Sequence, residues 1–167
     1  MVLQHYCVVG IDLAGKPENP TGICVLTESG AKTRVVFKDE EILSIIKRVS
    51  PKVVAIDAPL WLPPDNVPWR ICEILLMQRG FRPLSLVLPS MRLLALRAKG
   101  LTKKIKEVCS STEIIEVFAN ATEKILGLKK ERGRSKDEYD ALLCALTAKY
   151  YLERKYEDLG GIIVPKL

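Results

Sequence analysis

Histidine is almost absent from this chain of 167 residues, which contains only His5. A Ser-His-Asp mechanism would depend on that one residue, which we expect to lie at the protein surface. The five cysteines are spread widely and form no Cys-x-x-Cys pair. We therefore expect buried, unpaired thiols rather than disulfides, and a zinc site made of cysteine and histidine is poorly supported.

Long apolar runs are also missing. No stretch approaches the roughly 18–20 apolar residues that a membrane span needs, and residues 1–6 lack the charged and apolar regions of a signal peptide. A hydrophobic content of 48% argues against disorder. We therefore expect one globular domain over residues 1–167, located in the cytoplasm and without a membrane partner.

The net charge is +6, from 26 basic and 20 acidic residues. This balance suits an anionic partner, and nucleic acid is the commonest one. Basic side chains also form ordinary solvated faces, so the charge alone does not identify the partner.

The order of apolar patterns predicts an α/β fold. Strand patterns occur at residues 6–12, 21–27, 32–38, 52–57 and 113–118, and helical patterns at 39–49, 69–79, 90–108, 121–126 and 135–154. A further short strand at an edge is predicted for residues 162–164 after the helix-breaking Gly160 and Gly161. This order predicts a central mixed five-stranded sheet, three antiparallel strands followed by two parallel ones, with helices on both faces.

Acidic residues occupy positions where the pattern otherwise predicts burial. Asp12 and Asp57 close apolar strands, Glu116 interrupts one, and Asp140 lies one turn into an apolar helix. Because burying a lone carboxylate is costly, a fold that gathers these groups must neutralise them, most simply with a divalent metal. The pattern therefore indicates metal-assisted chemistry on a phosphate. The alternatives are turn formation for the two strand-end aspartates and structural ion pairs for Asp140 and Glu116.

Four segments carry a resemblance to a known family: VVGIDLAGKPENPTG (8–22), VAIDAPLWLP (54–63), IIEVFANAT (114–122) and SKDEYDALLCALTA (135–148). Together they resemble the domain of unknown function 429 family, whose members are described as predicted nucleases of the ribonuclease H-like superfamily. One departure is Ala119, which stands where the family pattern leads us to expect a proline.

The resemblance implies a catalytic set that holds Mg²⁺ or Mn²⁺. In ribonuclease H-like nucleases, carboxylates on the first strand, a middle strand and the last helix bind two divalent ions. Asp12, Asp57 and Asp140 match those positions, as both catalytic residues and metal ligands. Glu116, as a catalytic residue, or Asp137, as a metal ligand, would complete the set, although Asp137 also lies where a helix-capping acid is expected.

Basic and aromatic residues near these acids are candidate substrate-binding groups. Lys16, Arg132, Arg134 and Lys136 would hold phosphates, and Trp61 would stack on a base. A solvated loop, or a tryptophan that pins the proline-rich loop, is the simpler alternative.

The sequence thus predicts a metal-dependent nuclease. Two alternatives stay open: a phosphate- or nucleotide-binding protein that uses the loop at residues 10–15, and a non-catalytic nucleic-acid-binding module. The sequence does not distinguish DNA from RNA, single from double strands, or endonuclease from exonuclease action. It does not define the oligomeric state either, and a homodimer is compatible with it.

Overall fold

The computed structural model of the chain describes residues 5–167, which form an α/β protein around one mixed sheet. The strands are β1 (Cys7–Asp12), β2 (Thr21–Thr27), β3 (Gly30–Val36), β4 (Val53–Ile56), β5 (Glu113–Val117), β6 (Tyr156–Leu159) and β7 (Ile162–Pro165). The helices are α1 (Asp39–Val49), α2 (Ile71–Gln78), α3 (Pro89–Val108), α4 (Ala119–Leu126) and α5 (Lys136–Leu152).

The sheet has seven strands in the order β3-β2-β1-β4-β5-β7-β6. Strands β1 to β3 are antiparallel, and β4 and β5 run parallel to β1, as the sequence predicts. The predicted count of five strands is wrong, because β6 and β7 form an additional hairpin whose β7 pairs in parallel with β5.

The additional hairpin begins just after residue 154, the predicted end of the last helix. Helix α5 ends at Leu152, and Arg154 then adopts a φ of 58°, a left-handed conformation that ends a helix. Gly160 and Gly161, expected to break the helix, instead form the turn between β6 and β7, and both have positive φ. The strand predicted at residues 162–164 exists, but it lies inside the sheet, and β6 forms the edge.

Helices cover both faces of the sheet, as predicted. Helix α5 packs against one face, on residues such as Val8, Cys24 and Ala55. Helices α1 and α3 pack against the other, on Val9 and Ile56. The alternation along each strand therefore decides which helix a side chain meets. On the β5 strand, Ile115 and Val117 face α5, so Glu116 between them faces the opposite side.

Several smaller predictions can be checked in the same structure. His5 is at the surface, with its side chain 89% exposed. All five cysteines are free, and Cys24, Cys72 and Cys144 are buried. Within residues 5–167, no helix combines the length and the apolar character that a membrane crossing requires. The prediction about a signal peptide at residues 1–6 lies largely outside the described residues.

Candidate metal centre at the carboxyl ends of the strands

Asp12 and Asp57 are neighbours because of the strand pairing. Asp12 ends β1 and Asp57 directly follows β4, and the parallel ladder pairs Ile11 with Ile56 just before them. The Asp57 N–H continues the ladder by donating to the Ile11 carbonyl over 2.9 Å. Since Ile11 and Ile56 face α1 and α3, the alternation directs both aspartate side chains toward α5.

Helix α5 brings two more carboxylates to this place. Gly22, the ladder partner of Asp12 on β2, lies so close to α5 that a Cβ there would be 1.9 Å from the Asp137 carbonyl oxygen. The backbone of the first turn of α5 therefore touches the sheet beside Asp12. Asp137 and Asp140 are spaced i, i+3 and share a helix face, and the Asp137 carboxyl is within hydrogen-bonding reach of Asp12.

The electrostatics of this cluster disfavour four separate negative charges. The pKa of Asp12 is raised to about 8, chiefly by burial and then by the neighbouring carboxylates of Asp57 and Asp140. Burial raises the pKa of Asp57 to about 7, opposed by a hydrogen bond from the Ala119 N–H and reinforced by Asp140. Protonation of a carboxylate or binding of a cation would therefore stabilise the cluster.

Little positive charge is available from the protein itself. Lys136 contacts Asp140 over 2.7 Å, one turn away on the same helix, and its own side chain is 80% exposed. Within residues 5–167, no salt bridge reaches Asp12, Asp57 or Asp137. In the part of the chain that the structure describes, one exposed lysine is therefore the only side-chain cation that forms a salt bridge with these four carboxylates.

Ala119, which stands where the resemblance led us to expect a proline, uses its backbone N–H at this site. Its N–H donates to Asp57 Oδ2 over 3.3 Å, and a proline at this position would have no N–H to donate. Phe118 precedes α4 as its N-cap residue, so the Ala119 N–H is one of the unpaired donors at the start of that helix. Asp57 thus accepts a bond that orients its carboxylate toward α4 and α5.

Glu116 does not join the cluster, because it projects from the opposite face of the sheet. It accepts two hydrogen bonds from the buried Arg70 guanidinium, over 2.6 and 3.0 Å, and one from the Leu60 N–H over 3.0 Å. Arg70 also pairs with Glu73. The structure thus places Glu116 in an ion pair, the alternative left open by the sequence, although Glu116 lines the same cavity as Asp12 and Asp57.

A second acidic group contains Cys72, Glu73 and Glu116, whose candidate ligand atoms lie within 4.8 Å of one another. Here the guanidinium of Arg70 already binds both carboxylates. Burial alone would lower the pKa of Arg70, but the hydrogen bonds to Glu73 and Glu116 raise it above its ordinary value. Because this group already contains its cation, we do not assign a metal to it.

The predicted substrate-binding residues are scattered. Lys136 is the only one of them that contacts the cluster. Arg134 donates to the Thr33 hydroxyl on β3 over 3.2 Å, while Lys16 and Arg132 lie on exposed loops. Trp61 is 52% exposed and has the Arg70 guanidinium 5.1 Å from its ring centroid, so one face of the ring is held by the Arg70 network.

Two cavities meet at the cluster, and Asp57 and Phe118 line both of them. The first, about 210 Å³, also contacts Asp12, Glu73 and Glu116, and its other lining residues are apolar. The second, about 390 Å³, contains Asp140, Asn120 and two lysines, Lys130 and Lys136.

Sequence reasoning missed Arg70, Lys130 and Asn120 as individual residues. The i, i+3 pairing of Arg70 with Glu73 inside an apolar stretch was the one available signal.

The donor set suits a hard divalent cation. Four carboxylates offer only oxygen ligands, which match Mg²⁺ and Mn²⁺ rather than softer metals. Among the described residues, no three of these aspartates have ligand oxygens that all lie within 4.8 Å of one another. The side chains would therefore have to rotate to close around one ion, whereas a pair of ions would require a wider spread of ligands.

Neither the family models nor the curated proteins contain a match to this chain.

Proposed function

We propose that this chain is a divalent-metal-dependent nuclease that hydrolyses phosphodiester bonds in nucleic acid. We also propose that its fold is ribonuclease H-like and that it belongs to the domain of unknown function 429 family. Three antiparallel strands with an aspartate ending the first, followed by alternating helices and strands, support that assignment.

The observation that supports the activity most directly is the convergence of Asp12, Asp57, Asp137 and Asp140 from three separate elements. These residues would hold Mg²⁺ or Mn²⁺, and the raised pKa values of Asp12 and Asp57 are expected of ligands that lack their cation. When bound, the metal would supply Lewis-acid stabilisation and a nucleophilic water at neutral pH.

The rest of the chain contributes orientation and charge. Asp57 is held by the Ala119 N–H, and Lys136 offers an exposed ammonium group at the edge of the cluster. The net charge of +6 favours the approach of a polyanion despite the local carboxylates.

The test is cleavage of fluorescently labelled oligonucleotides, single- and double-stranded, of DNA and of RNA, with Mg²⁺ or Mn²⁺. Asp12→Asn and Asp140→Asn should each lower the cleavage rate by at least about a hundredfold, because each removes a metal ligand. Asp65→Asn is the matched control, since Asp65 is 94% exposed and its surface ion pair contributes little. Cleavage at the wild-type rate by both cluster variants would refute the proposal, and binding without turnover under any divalent metal would favour a non-catalytic module.

A further inference from the structure

We infer that the apolar cavity beside Asp12 and Asp57 receives one unpaired nucleobase, so that the substrate is single-stranded next to the bond that is cut. This inference rests on the proposed function for identifying the ligand as a nucleic acid. It adds the substrate class and the place where the base binds.

The lining of the cavity indicates a flat, uncharged occupant. Its lining residues include Leu13, Leu76, Met91, Leu94 and Phe118. No lysine, arginine or histidine of residues 5–167 lines it, and the charged groups that do are the carboxylates of Asp12, Asp57, Glu73 and Glu116. A phosphate there would be repelled, whereas an aromatic base would gain contact with apolar side chains and a phenyl ring.

The size of the cavity limits the occupant further. Its volume of about 210 Å³ is below the roughly 300–1,000 Å³ typical of sites for drug-sized ligands. That space suits a single ring system and excludes a base pair. Leu84, at 59% exposure, lies on the cavity wall and gives it an opening to solvent. A base can therefore enter only when it is unpaired.

The second cavity provides a place for the backbone of the same strand. It shares Asp57 and Phe118 with the apolar cavity, and it carries Lys130 and Lys136. A nucleotide whose base occupies the apolar cavity would therefore have its phosphate at the divalent ion that the aspartates would hold, and the adjoining phosphates near the two lysines. This division matches the chemistry of a nucleotide, which is apolar at its base and anionic at its backbone.

The test measures binding of a short fluorescent single-stranded oligonucleotide by anisotropy in Ca²⁺, beside an oligomer of the same length made of abasic units. Wild-type protein should bind the normal oligomer about tenfold more tightly than the abasic one. Met91→Trp, which fills the cavity, should reduce that ratio to about one. Leu96→Trp is the matched control, because Leu96 is on the same helix, 60% exposed and outside the cavity.

The readouts separate this inference from the proposed function. Loss of the base preference in Met91→Trp with unchanged Mn²⁺ binding by calorimetry would support the inference, even if no cleavage is found. Equal binding of normal and abasic oligomers by wild type, no binding of either oligomer, or equal binding of a blunt duplex would overturn it. If Met91→Trp does not fold, Leu84→Glu at the exposed opening replaces it, with Leu96→Glu as its control, and an unchanged ratio there would also overturn it.

Discussion

Asp12→Asn should stabilise the metal-free protein while destroying the proposed metal site. In the folded chain the pKa of Asp12 is about 8, against an ordinary value of 3.8. At pH 7 the folded state therefore retains a proton that the unfolded chain has released. The amide of asparagine resembles the protonated carboxyl group and removes this penalty.

The size of the effect follows from the gap between pH 7 and the unfolded pKa. Each pKa unit corresponds to about 1.4 kcal/mol, so roughly three units correspond to about 4 kcal/mol. Because Asp12 is only partly buried and is screened by solvent, we expect about half of this, roughly 2 kcal/mol. That corresponds to a rise in the melting temperature of about 4–8 °C for a domain of this size.

The pH dependence has a definite sign. The folded-state pKa is raised, so the penalty is absent below the unfolded pKa of 3.8, grows as pH rises, and levels off above about 8. The variant should therefore match wild type near pH 3.5 and exceed it increasingly toward pH 8. Urea denaturation in EDTA at several pH values measures this, with Glu18→Gln, an exposed carboxylate in the loop after Asp12, as the control.

Metal addition should reverse the order of stability. A divalent ion at a concentration about 100 times its dissociation constant stabilises a protein by about 2.7 kcal/mol, and the variant should not gain this. The reasoning would be refuted if Asp12→Asn destabilised the metal-free protein equally across the pH range. That result would mean that the Asp12 carboxylate is favourably bound within the fold.

Two further substitutions test the supports of the centre. Gly22→Ala should lower the free energy of unfolding by about 1–3 kcal/mol and weaken Mn²⁺ binding in calorimetry, because the added methyl group would push α5 from the sheet. The control is Gly100→Ala, which has open space around it and should be neutral or stabilising. Equal effects of the two substitutions would contradict this reasoning. Glu116→Gln should lower the free energy of unfolding by about 3 kcal/mol, because Arg70 would lose part of its ion pairing. The affinity for Mn²⁺ should stay unchanged. Loss of metal binding in this variant would mean that Glu116 is a metal ligand after all.

The strand-end aspartates illustrate what the sequence made predictable. Asp12 and Asp57 each follow an apolar run, and parallel strands bring their carboxyl ends to one edge of a sheet, so their proximity followed from the predicted topology. Asp140 was recognisable because it interrupts an apolar helix. Its approach to the sheet also required Gly10 and Gly22, whose lack of a side chain acquires meaning only once α5 is seen against them.

The ion pair of Glu116 and the C-terminal hairpin could not be predicted from the sequence. The alternation along residues 113–117 separates Glu116 from Ile115 and Val117, but the pattern alone does not say which face α5 covers. The partner of Glu116 is 46 residues earlier in the chain, so no local spacing indicates it. Strand β6, with the sequence YEDL, is half-exposed and has no apolar alternation to distinguish it from a frayed helix end.

The close approach of Gly10 and Gly22 to the backbone of α5 joins the two parts of the acidic centre. Asp12 and Asp57 belong to the ends of two strands, while Asp137 and Asp140 belong to α5. The distance between the two pairs of aspartates therefore depends on how closely main-chain atoms of one helix pack on the sheet. A substitution that lifted α5 from the sheet would displace Asp137 and Asp140 together from Asp12 and Asp57.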